Sequence, residues 1–191
     1  MKQKEHALIY LGESYHFQFE LENLLNIYDF DYTWVNDDNM NQSISELFQI
    51  STSKIKQCQL FPFNFILFLN IDHDKITAFY QECAKNGFPF THKAVVTEHN
   101  KSWLLKDLLS EIAEEHDFFK MYQQLQSLLK EANTISIDAY TEESFVPYRN
   151  AFIKAYMYIK GEQLQKEIMQ SLINEVIHTR NQLLLKLDKE D

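Results

Sequence analysis

Three glycines, Gly12, Gly87 and Gly161, serve a chain of 191 residues, where a chain of this size ordinarily has roughly a dozen. Neither a Walker loop nor a G-x-G-x-x-G turn can be written with them, because both need glycine where backbone approaches phosphate. Arginine is equally scarce, with Arg149 and Arg180 the only two. The formal net charge is -10, and it divides evenly, nine Lys+Arg against fourteen Asp+Glu on each side of a cut after Leu109. Nucleic-acid binding depends on clustered positive charge and counterion release, so no nucleic-acid partner is expected. The two cysteines, Cys58 and Cys83, stand in no metal or redox spacing; both are expected as reduced thiols of a cytoplasmic protein. No apolar run approaches the length of a membrane span, and the start Met1-Lys2-Gln3-Lys4-Glu5-His6 is polar. Neither membrane insertion nor secretion is therefore expected.

What is present is organised around the stretch from Phe63 to Leu109. Phe65 to Leu69 is a continuous apolar run and Ala94 to Thr97 a shorter one, the pattern of strands covered on both faces inside a parallel sheet. Between them Ile76, Phe79, Tyr80, Cys83 and Ala84 recur at helical spacing, and Gly87 and Pro89 end that helix. After the second strand Trp103-Leu104-Leu105-Lys106-Asp107-Leu108-Leu109 opens another helix.

The first sixty residues repeat this plan. Ala7 to Leu11 reads as a strand, and Gly12-Glu13-Ser14 as a turn whose serine can cap a helix bearing Phe17, Leu21, Leu24, Leu25 and Tyr28 on one face. Tyr32 to Val35 is the second strand. Laying Val35 on Val96 puts Asn39 on Asn100 and Leu47 on Leu108. The expected fold is therefore α/β, an open parallel sheet of four strands in order 2-1-3-4, built from two βαβα repeats at about 6–50 and 64–109. That domain spans 1–116, and a helical extension occupies 117–191.

In the second copy Val96, Thr97, Asn100 and Trp103, within A-V-V-T-E-H-N-K-S-W-L-L-K-D-L-L at 94–109, carry a resemblance. The segment from about 64 to 116 resembles the bacterial domain-of-unknown-function family 3783, in which a valine-threonine strand end is followed by asparagine and by a tryptophan opening a helix. The resemblance implies no activity. In the first copy Asn39 keeps the asparagine, while Asn36 stands for the threonine and Gln42 for the tryptophan. From the residues alone, Thr97 ends a strand, Asn100 or Ser102 caps a helix, and Trp103 covers the sheet edge.

Ligands of open parallel sheets bind outside the carboxyl ends of the strands. The residues there are Gly12, Glu13 and Ser14 after the first strand, Asn70, Asp72 and His73 after the third, and Thr97, His99 and Asn100 after the fourth. They would form a crevice for a small molecule or anion between the ends of strands 1 and 3, with Asp72, His73 and Glu13 as a cation or acid/base set. The plainer account is that acidic residues favour the first turn of a helix and that loops collect solvated charge. No nucleophile-base pair is legible. No catalytic residue, metal or cofactor is expected.

Beyond Leu109 the spacing of Ile112, Phe119, Tyr122 and Leu129 continues a helix that runs on as one rod or breaks near Asp117. Further helices follow, one from Thr141 with Pro147 in its first turn and one after Gly161. Glu175-x-x-His178 matches half of a di-iron site, but the facing Glu-x-x-His is missing from this region. The apolar residues of this hairpin cover more than one seam. A non-catalytic interaction or regulatory module is expected, a homodimer joined through Phe152, Tyr156, Ile173, Val176, Ile177 and Leu184, with a further protein partner compatible with the same surface.

Overall fold

The computed structural model describes residues 4–12, 17–50, 56, 58–88, 90 and 92–186. The chain divides into two compact units, Met1–Ala113 and Glu114–Asp191.

The first unit holds strands β1 (His6–Leu11), β2 (Asp31–Val35), β3 (Asn64–Leu69) and β4 (His92–Val95), in the order β2-β1-β3-β4. β1 runs parallel to β2, and β3 parallel to β4. The central pair differs from expectation: β1 and β3 are antiparallel, with His6 opposite Leu69 and Leu11 opposite Asn64. The sheet is thus mixed rather than parallel throughout. Its order follows the sequence pattern, but strand direction does not, and the physical reason is plain. Ala7 to Leu11 and Phe65 to Phe68 are buried on both faces, which a continuous apolar run signals whichever way its neighbour points.

Helices cover both faces. Against one pack α1 (Gln18–Ile27) and α3 (His73–Lys85), whose Leu21, Leu24, Leu25, Ile76, Phe79 and Cys83 meet Ala7, Ile9, Ile66 and Phe68. Against the other pack α2 (Ile44–Leu47) and the opening turns of α4 (Leu105–Ala132), whose Leu105, Leu108 and Leu109 join Ile44 and Leu47 over Leu8, Tyr10, Phe65 and Leu67. Each large apolar side chain so buried contributes roughly 1.5–3 kcal/mol. Asp72 caps α3 by accepting the Asp74 amide at 2.9 Å, and Gly87 leaves that helix at φ 82°, where glycine has no side chain to clash. α4 runs unbroken through Asp117.

In the second unit α5 (Glu142–Ile159) and α6 (Lys166–Asn181) pack as a hairpin with Leu125, Leu128 and Leu129 of α4. Thr141 caps α5, whereas Pro147 falls one turn later than expected, inside the helix, where its ring removes one amide donor. The small residues Ala151 and Ala155 let the helices approach closely. After α6 the chain returns along the start of α5: the Thr141 amide donates to the Leu184 carbonyl at 2.8 Å and the Lys186 amide to Ala139 at 2.9 Å. No helix among the described residues is long and apolar enough to cross a membrane.

Candidate functional site

The antiparallel pairing of β1 and β3 sends the residues of the expected crevice to opposite ends of the sheet. Gly12 follows β1 at the end where β3 begins, and its amide donates to the Phe63 carbonyl at 3.1 Å. A Cβ there would fall 2.7 Å from the backbone nitrogen and oxygen of Phe63, so glycine is required by close backbone approach and not by a ligand. Glu13 and Ser14 lie outside the described residues. Asn70 sits at the far end, at φ 59°, with its side-chain amide 3.4 Å from the Lys4 carbonyl. The crevice between the ends of strands 1 and 3 is therefore not formed, although the strands are neighbours.

At the Asn70 end most groups already have partners. Asp72 is engaged in capping, while His73 is almost fully solvated. Lys4 pairs with Asp31 at 2.7 Å and Lys75 with Glu5. Such partly exposed pairs contribute about 0–1 kcal/mol each. No group of three or more His, Cys, Asp or Glu able to hold a metal exists among the described residues.

Thr97 and Asn100 close a loop on themselves. The Asn100 side-chain oxygen accepts the Thr97 amide at 2.8 Å, its side-chain nitrogen donates to the Val95 carbonyl at 3.0 Å, and the Asn100 amide donates to the Thr97 hydroxyl at 3.2 Å. His99 lies edge-on to Trp103, with ring centres 5.1 Å apart. The loop after β2 is closed in the same way: the Asn39 side-chain oxygen accepts the Asn36 amide at 2.8 Å, and the Asn36 side chain accepts the Asp38 amide at 2.8 Å. The two loops then meet. Ile44 donates to the Trp103 carbonyl at 2.9 Å and Leu105 to Gln42 at 3.0 Å, while Ser45 donates to Lys101 at 2.9 Å and Lys106 to Met40 at 3.1 Å. Backbone polar groups must be paired when helices end over an apolar face, and here each loop caps the other.

A second cluster, at the Gly12 end, escaped the sequence. The buried Tyr10 hydroxyl donates to Asp37 at 2.8 Å and accepts the Phe61 amide at 3.1 Å; Asp37 also accepts the Gln59 amide at 2.8 Å, and buried Cys58 lies alongside. Burial pushes the Tyr10 phenol well above its ordinary range, and burial first, then the Asp37 charge, lifts the Cys58 thiol to about 11. Both therefore stay protonated near neutrality, which makes neither a nucleophile nor a base. Tyr10 sits inside an apolar run far from Asp37 in the chain, and no local signal ties them.

The expected interface residues divide. Ile173 and Val176 are buried in the core of their own unit, so they are not available to a partner, and Phe152 and Ile177 are partly buried against that core. Tyr156 and Leu184 are exposed. The difference has a physical cause: α4, α5 and α6 share one core, in which Leu125, Leu128 and Leu129 join Tyr148, Ala151 and Ala155 around Ile173 and Val176 and cover more of α6 than a single stripe. Glu175, of the Glu175-x-x-His178 pair, binds Lys154 at 2.7 Å.

No curated protein and no solved structure matches this chain. Residues 64–119, from β3 into α4, match the model of the family Domain of unknown function (DUF3783), a range that includes Val96, Thr97, Asn100 and Trp103 of the closed loop.

Proposed function

We propose that this protein is a non-catalytic interaction module that self-associates as a two-fold dimer through its helical unit. One observation carries the reading: α5 turns a row of Ile153, Tyr156 and Met157 outward, 50%, 45% and 67% exposed. An apolar row in a chain this acidic is costly to leave in water, and such patches mark interfaces. Two copies of α5 crossed about a dyad would set Ile153 of each beside Met157 of the other, an isologous contact that closes. Ile173 and Val176 hold the unit together and have no part in the contact.

Two further elements belong to this reading. The first is an internal duplication, supported by the loop bonds: Ile44 to Leu105, Gln42 to Trp103, Ser45 to Lys106 and Met40 to Lys101 are all the same step along the chain, so each bond has its counterpart in the other half. The closed loops of Thr97–Asn100 and Asn36–Asn39 are then equivalent scaffolding. The second is a cytoplasmic location, supported by two free, buried thiols.

Light scattering on the full chain and on the variant carrying I153E and M157E tests the association. The wild type should weigh as two chains at micromolar concentration, and the variant as one with unchanged circular dichroism. A monomeric wild type would overturn the proposal.

A further inference from the structure

Where α4 gives way to α5, the helical unit forms a cavity of about 280 Å3. Ile135, Phe145, Phe152 and the ring of Tyr148 make its walls apolar, and Asn133 and Arg149 bring polar groups to it; no Asp or Glu lines it. This is an unusual setting in a chain of formal charge -10.

The cationic group there is unclaimed. The other arginine, Arg180, binds Glu131 at 2.6 Å, and Lys154 binds Glu175 at 2.7 Å. Arg149, exposed at the cavity, pairs with no carboxylate among the described residues. The last carbonyls of α4, which would repel an anion, are already occupied. Lys130, Glu131 and Ala132 accept the amides of Asn133, Thr134 and Ile135, and the Thr134 hydroxyl donates to Glu131 as well.

Small-molecule sites are mostly apolar with a few convergent polar groups that fix the ligand. Here the polar groups offer donors, and the only charge is a planar guanidinium, whose fork matches a carboxylate with two parallel hydrogen bonds. We propose that this cavity binds small carboxylic acids with an aromatic or short aliphatic body. The carboxylate meets Arg149, with Asn133 as a further donor, and the body lies against Ile135, Phe145 and Phe152. Inorganic phosphate satisfies the guanidinium but leaves the apolar walls unused. Ile153, Tyr156 and Met157 are not part of the wall, so the site stands or falls separately from self-association.

Calorimetric titration of the full chain with hydrocinnamate, and with hydrocinnamyl alcohol as its neutral counterpart, tests the assignment. The acid should bind with a Kd below about a millimolar and the alcohol about tenfold more weakly. Arg149 is exposed, so the variant R149Q keeps the fold; it should bind acid and alcohol alike, at the alcohol's affinity. R149K, which keeps the charge without the fork, should fall between. Absence of acid binding, equal binding of acid and alcohol to the wild type, or an R149Q variant that binds the acid unchanged would each overturn the proposal.

Discussion

Tyr10 donates its phenolic hydrogen to the Asp37 carboxylate across 2.8 Å, tying the fully buried centre of β1 to the loop after β2. Because burial raises the phenol further above its ordinary range, this donor is present at neutral pH and below. Tyr10→Phe keeps the ring and deletes the bond, leaving one Asp37 oxygen and the Phe61 amide without that partner. The expected loss is about 1–3 kcal/mol, the range for a partly buried hydrogen bond to a charged group. Urea titration should show a lower midpoint at unchanged slope. A midpoint equal to wild type would mean that water replaces the hydroxyl.

Asn39 and Asn100 each close a loop, and the two loops are bonded to each other. Either Asn→Ala substitution removes an acceptor from one loop amide and should cost about 0.5–2 kcal/mol, as other capping side chains do. The four backbone bonds between the loops make the two losses interdependent, so the double variant should fall short of the sum by more than about 0.5 kcal/mol. A double-mutant cycle in urea measures this directly. Strict additivity would show that the loops open independently.

His6 accounts for a pH dependence. Its ring lies beside the Thr33 hydroxyl at 2.9 Å and edge-on to Phe48 at 5.1 Å, with Asp31 and Lys4 nearby. Burial lowers its pKa below the ordinary 6.5; Asp31 opposes that shift and Lys4 adds to it. The unfolded chain therefore takes up the proton first as pH falls. Stability is complete above 6.5 and declines as pH drops from there through the folded value. Replacing His6 with glutamine removes the titrating group, so wild type should lose more stability than H6Q between about pH 8 and about pH 5.5. Parallel declines in the two proteins would assign the dependence to other groups.

Strand order and helix positions were legible because they rest on periodicity and caps: the apolar runs Ala7–Leu11 and Phe65–Leu69, the 3,4 spacing of Ile76, Phe79 and Cys83, and Asp72 before α3. Direction was not, since Leu8 and Leu67 are buried equally in either orientation, and with the reversed β3 the crevice disappeared. The likeness of residues 35–39 to residues 96–100 is visible in the sequence, but not that the segments after them bond to one another, because pairing between distant loops leaves no local pattern. The polar cluster of Tyr10 and Asp37 was hidden for the same reason. In the sequence Arg149 is only a scarce arginine; that it meets no carboxylate among the described residues is a property of the folded unit.

Burial separates the residue of α6 that holds the unit together from one beyond its end that faces water. Ile173 is 1% exposed within the core of the helical unit, packed among residues of α4 and α5, whereas Leu184 is 63% exposed. Ile173→Ala removes atoms from a filled interior that closes only partly, and should cost about 2–5 kcal/mol. Leu184→Ala deletes solvated surface and should stay within about 0.5 kcal/mol of wild type. If Ile173 acts within its own chain, the difference between wild type and variant is the same at every protein concentration, since the contact between copies is the same in both. Urea unfolding followed by circular dichroism, repeated over a hundredfold range of concentration, distinguishes the cases. A loss that grew on dilution would place Ile173 at the contact between two copies after all.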